Sequence, residues 1–150
     1  MKPAVFIGAD HGGFEYKNQI REHLIHQGYQ VEDVGAETLD PADDYPQFAY
    51  AVATKILGEE GSVFGILVCR GGQGMAMAAN RVAGIRAAVA WSPEVAQKTR
   101  EDNNANVLCL PGDMIDIDTS LDIVDTFIKE PFSNEERHVR RLGQIEDLFG

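Results

Sequence analysis

Residues 69–80 read CRGGQGMAMAAN, a thiol set against a glycine-rich turn that runs directly into small, helix-favouring residues. A helix that begins there points unpaired N–H groups outward, an arrangement suited to a negatively charged ligand. A cysteine beside such a helix start is held more readily as thiolate, the form that acts as base or nucleophile. Cys69 on its own reads equally well as a small core residue, and the turn on its own as a turn; together they point to acid–base chemistry on an anion. Asp10 and His11, inside GADHGG (8–13), form a second polar cluster, read either as a turn with a helix cap or as part of a site. A third is the run REDNN (100–104). Arg137 and Arg141 lie four apart on a helical face with His138 and Arg140 beside them, a guanidinium pair that suits a phosphate dianion or serves as a solvated basic face.

These residues need elements to carry them. Short apolar runs at 4–8, 29–35, 64–69, 85–90 and 106–110 alternate with amphipathic stretches at about 13–27, 46–59, 73–82, 93–103 and 117–129. That alternation predicts parallel strands with crossover helices in a three-layer α/β/α sandwich. Phe14, Ile20, Leu24 and Ile25 are expected to face inward on the first helix, and Phe48, Val52 and Ile56 on the second. His23 and His26 are placed on an exposed face, and Cys109 in the core. A last helix is expected from an N-cap at Ser133, with Glu136 three residues on. The Asp- and Pro-rich segment 37–46 is read as a solvated connector. In open α/β sheets ligands bind beyond the carboxyl ends of the strands, and all three polar clusters are expected at that rim.

Bulk properties narrow the class. The 150 residues, 44% hydrophobic, suffice for one domain spanning 1–150. A net charge of −11 argues against nucleic acid or an anionic membrane as partner. No apolar run is long enough to suggest a membrane span, and the opening MKPAVFIGADHGG is too short in apolar residues for a signal-peptide core. Two isolated cysteines fit a reducing cytoplasm. No metal site is expected. The glycine turn is neither a dinucleotide fingerprint in its usual place nor a P-loop.

GADHGGFEYK, the Cys69 loop leading to AANRVAGIRAAVA, NNANVL (103–108) and ERHVRR (136–141) together resemble the B-type ribose-5-phosphate isomerase family, which includes the subunits of galactose-6-phosphate isomerase. The resemblance covers essentially the whole chain. It implies a Rossmann-like five-stranded parallel sheet, homodimers or dimers of dimers with shared active sites, no cofactor, and aldose–ketose isomerisation of a phosphorylated sugar through an enediolate. It further implies Cys69 as the proton-shuttling base and the Gly71, Gly72 and Gly74 backbone as the enediolate pocket. Asp10 and Asn103 resemble sugar contacts, and His11, Arg137 and Arg141 the phosphate grip, with the arginines and the helix at about 133–149 reaching the partner subunit. The chain departs from the family's pattern at three positions. Arg70 and Gly71 stand where the family has glycine and a hydroxyl residue, so that either backbone N–H groups do more of the stabilising or Arg70 supplies charge. Asp102 replaces a histidine thought to open the furanose ring, and Asp113 an arginine. These departures point to a sugar phosphate that is open-chain in solution, such as a tetrose phosphate. Two rival readings are a non-catalytic sugar-phosphate-binding protein and a nucleotide-binding domain.

Overall fold

The computed structural model describes residues 2–150. Five strands, β1 (Ala4–Ala9), β2 (Gln30–Asp33), β3 (Val63–Cys69), β4 (Ala87–Val89) and β5 (Val107–Pro111), pair in parallel in the order β2-β1-β3-β5-β4. Six helices accompany them: α1 (Phe14–His26), α2 (Tyr45–Leu57), α3 (Gln73–Ala79), α4 (Pro93–Asn103), α5 (Ile117–Lys129) and α6 (Glu136–Phe149). No helix among the described residues is long and apolar enough to cross a membrane.

The two-residue period of the strands sorts the core into two layers. Val5, Ile7, Phe64, Ile66, Val68, Leu108 and Leu110 face α1, α4 and α5. Phe6, Leu67, Cys69, Val107 and Cys109 face α2 and α3, where Ala49, Val52, Met75 and Ala79 meet them. Both faces are covered, which is why the central strands are apolar throughout. The expected three-layer sandwich is the architecture found.

Several local expectations need correction. Ile25 is exposed, because the inward stripe of α1 runs through Ile20 and Leu24 instead. His23 is half-buried rather than exposed, its Nε2 2.9 Å from Asp125 Oδ1 on α5. The third helix stops at Ala79, since Asn80 turns its side chain to the backbone N–H and C=O of Ala87. β4 is only three residues long, because the N–H of Arg86 donates to the Asn106 side chain instead of extending the ladder. Ser133 does not cap α6; its own N–H donates to Glu101, and the helix opens later with Glu135 at the cap position.

Candidate active site

The strand order changes direction between β1 and β3: the chain goes from β1 outward to β2, then returns to the other side of β1. Adjacent loops diverge at such a point and leave a crevice at the carboxyl ends. Asp10 follows β1 and Cys69 ends β3, so the crevice collects both.

Each group there is tied down locally. Asp10, 8% exposed, folds back so that its Oδ1 accepts the Gly12 N–H at 2.9 Å. Gly13 then passes so close to β3 that a Cβ would lie 2.3 Å from the Val68 carbonyl oxygen, which packs the loop after β1 against the end of β3. Cys69 is 6% exposed, far more covered than a residue that must meet a substrate was expected to be. Its sulfur accepts the N–H of Gly72 at 3.2 Å. Gly72 has φ +75°, a left-handed conformation that turns that N–H back towards the thiol before α3 begins. Burial drives the pKa of the other thiol, Cys109, far up, so it stays neutral in the core.

Two clefts flank the Cys69 loop. One, of about 260 Å³, is lined by His11, Gly12, Glu15, Arg70 and Asp113 among others. The other, of about 460 Å³, includes Gly71, Gln73, Trp91 and Met114. Arg70 arches over Gly12 and pairs with Asp113 at 3.2 Å, both side chains well exposed. The residue expected to remove a positive charge, Asp113, thus holds the guanidinium that Arg70 adds. Among the described residues no three His, Cys, Asp or Glu side chains converge as a metal ion would require.

Two residues of this rim escaped the sequence reading. Tyr45, the first residue of α2, lays its ring on Gly74: a methyl there would stand 2.5 Å from the ring carbon Cζ and 2.8 Å from the hydroxyl. Asp43 lies in the segment read as a solvated connector, yet its side chain is only 6% exposed and its Oδ1 is 2.9 Å from both the backbone N and the Nδ1 of His11. The sequence signal available was an acidic residue two positions before a Tyr-Pro helix start.

The third expected cluster is elsewhere. Because α4 runs back across the sheet, Asp102 and Asn103 lie at the amino ends of the strands, not at the carboxyl rim. Register makes this concrete: Val107, four residues after Asn103, pairs beside Gly65, whereas Cys69 is four residues further along β3, about 13 Å at the usual strand rise. Arg100, in the same run, is consumed structurally, donating to the carbonyls of Glu130 and Ala105 and lying over the Phe64 ring. Asp102 stands 3.3 Å from His138 Nε2 at the start of α6. Arg137 is paired with Glu135, and Arg141 is exposed. One chain therefore unites Asp10, His11, Cys69, Arg70, Gly71, Gly72 and Gly74, and separately unites Asp102, Asn103, Arg137 and Arg141.

Comparison with known proteins gives the family of the chain and agrees with its fold. Residues 5–145 match the family described as Ribose/Galactose Isomerase. The chain belongs to that family. A ribose-5-phosphate isomerase B of Mycobacterium leprae is 44% identical over 144 residues, which cover 96% of this chain and 88% of that protein. The crystal structure of the Mycoplasma genitalium ribose-5-phosphate isomerase B with bound ribulose-5-phosphate superposes on this isomerase chain with a TM-score of 0.94 at 40% identity, covering 99% of this chain and 97% of that one. The Thermotoga maritima ribose 5-phosphate isomerase gives 0.92 at 41% identity, covering 98% and 99%.

Proposed function

We propose that this isomerase interconverts the aldose and ketose forms of a phosphorylated sugar at the carboxyl rim, with Cys69 as the base. The thiolate takes the proton from C2 of the open-chain aldose, the electron pair forms the C1–C2 double bond, and O1 becomes negative. The C2 hydroxyl proton passes to O1, and the sulfur returns its proton to C1. With the Gly72 N–H held by the Cys69 sulfur, the backbone N–H groups of Gly71, Gln73 and Gly74 are the donors available to the oxyanion, each such donor typically worth ~2.7–4 kcal/mol in the transition state. Asp10 and Tyr45 lie where they can hold sugar hydroxyls. The observation that carries this reading is the placement of Cys69, its sulfur already accepting an N–H, beside Asp10 at the point where the sheet reverses.

The α6 arginines, with Asn103 and Asp102, complete the site from a second copy of the chain, bringing a phosphate grip to a rim whose own positive groups are His11 and Arg70. Within that assembly the chain acts as one isomerase domain, the apolar residues Ile145, Leu148 and Phe149 of α6, exposed in the single chain, facing the partner. The substrate favoured by Arg70, Asp102 and Asp113 is a sugar phosphate that needs no ring opening, such as a tetrose phosphate.

A panel of tetrose, pentose and hexose phosphates, assayed for turnover and for deuterium wash-in at C2, tests this. Cys69→Ala is expected to lower turnover about 10²–10⁴-fold with KM little changed. Exchange that persists in Cys69→Ala removes the sulfur from the mechanism, and ribose 5-phosphate turnover as fast as that of any shorter sugar phosphate removes the tetrose preference. The near-complete cover over Cys69 favours one rival, a binding protein without chemistry; sugar-phosphate binding with no wash-in in the wild type is its signature.

A further inference from the structure

His11 enters the rim cleft from the turn after β1, but its orientation is decided 32 residues away. A carboxylate can only accept, so the 2.9 Å contact fixes Nδ1 as a protonated nitrogen of the ring. The same oxygen of Asp43 accepts the backbone N–H of His11, so ring and main chain are clamped to one atom. The second oxygen, Oδ2, is buried and has no hydrogen-bond partner among the described residues. Burying a carboxylate oxygen unpartnered costs stability, and such a group persists where the charge has a use. Nε2 of His11 makes no hydrogen bond among the described residues and belongs to a ring that lines the cleft with Glu15, Arg70 and Asp113.

We propose that Asp43 is a positioning residue for substrate capture: by holding the Nδ1–H and backbone N–H of His11 together, its carboxylate presents Nε2–H to the anionic end of the substrate. The proposal rests on the sugar-phosphate reading for what that anion is. A histidine so held differs from a free one in that the ring cannot rotate away and Nδ1 cannot become the acceptor. Capture of a phosphate then needs only that Nε2 keep its proton. The groups around it decide how long it does. The hydrogen bond to Asp43 raises the His11 pKa and is the leading cause; burial works against it, Asp10 raises it further, and Arg70 lowers it. Glu15 and Asp113 face the same cleft. Since the pKa is raised, the imidazolium survives to higher pH than in an ordinary histidine and is lost as pH climbs through the raised value. Removing the charge of Asp43 shifts that loss to lower pH.

Asp43→Asn tests this, read by NMR titration of the His11 ring proton, assigned by its disappearance in His11→Asn, and by the dissociation constant of inorganic phosphate. The expected result is a titration midpoint at lower pH than in the wild type. Phosphate binding, measured above the variant's midpoint, should weaken about tenfold, on the scale of one charge-assisted hydrogen bond. KM for the sugar phosphate rises in parallel while kcat changes less, and Asp43→Asn adds nothing further in a His11→Asn background. Should Asp43→Asn not fold, Asp43→Ser also removes the charge, and the same shifts are expected. An unmoved midpoint with undiminished phosphate affinity overturns the proposal, as does a full Asp43→Asn effect when His11 is already gone. If the wild type turns over no sugar phosphate while the midpoint and phosphate affinity respond as stated, the isomerase reading fails and the role of Asp43 stands.

Discussion

The carboxyl rim and the corner where α4 meets α6 carry the same kinds of polar residues and treat them oppositely. At the rim the acids and the thiol are folded into place: Asp10 on Gly12, Asp43 on His11, the Cys69 sulfur under Gly72. At the corner the cations lie on an exposed helix that barely touches the rest of the chain, with Val139, Ile145, Leu148 and Phe149 open on the same element. The difference teaches that preorganisation is local to the fragment to which we assign the proton transfer. The arginines proposed as the phosphate grip, by contrast, are displayed on a helix whose Val139, Ile145, Leu148 and Phe149 are exposed in the single chain.

The largest effect that sharpens this contrast comes from separating the two regions genetically. Arg141→Ala is expected to raise KM about 10–100-fold, the scale of a lost charge-assisted contact to phosphate, while Cys69→Ala removes turnover. When the two variants are unfolded together and refolded as a mixture, a two-fold pair with shared sites restores about a quarter of wild-type activity, because half the pairs are mixed and each holds one whole site. No restoration in a mixture shown to exchange chains means that both regions serve the same chain or that α6 plays no part.

A smaller effect probes how rigid the rim is. Gly13→Ala drives a methyl into the Val68 carbonyl, and overpacking of this kind costs about 1–3 kcal/mol, seen as a lower midpoint in thermal or urea unfolding. The same change at Gly143 on α6, where a Cβ meets nothing within 4 Å, is expected to be neutral or slightly stabilising. Equal outcomes at the two positions break the contrast. The smallest effect belongs to Arg70 and Asp113. Both side chains are exposed, so Asp113→Ala changes stability by less than about 1 kcal/mol. Its consequence is expected in KM instead, through a guanidinium released from its partner.

Much of this was legible in the amino-acid order. The apolar runs marked every strand, and Cys69 with its glycines marked the carboxyl end of β3, because strand periodicity and turn chemistry are local. What failed was non-local. Asp102 and Asn103 share a run with polar residues that resemble site residues, yet only the direction of α4 across the sheet decides which end they occupy. Asp43 looked like loop because acidic residues before a proline usually face water; the burial that makes it matter comes from β1 folding against it. Ser133 satisfied a capping pattern, but its backbone was already engaged by Glu101 from another helix.

The splitting of the polar residues between opposite ends of the sheet carries a practical corollary. On the pairing proposed above, a lone chain, diluted until pairs come apart, holds Cys69 without the arginines of α6 beside it and those arginines without Cys69. Specific activity would then fall with enzyme concentration even though every molecule stayed folded, and rates from very dilute assays would understate the catalyst.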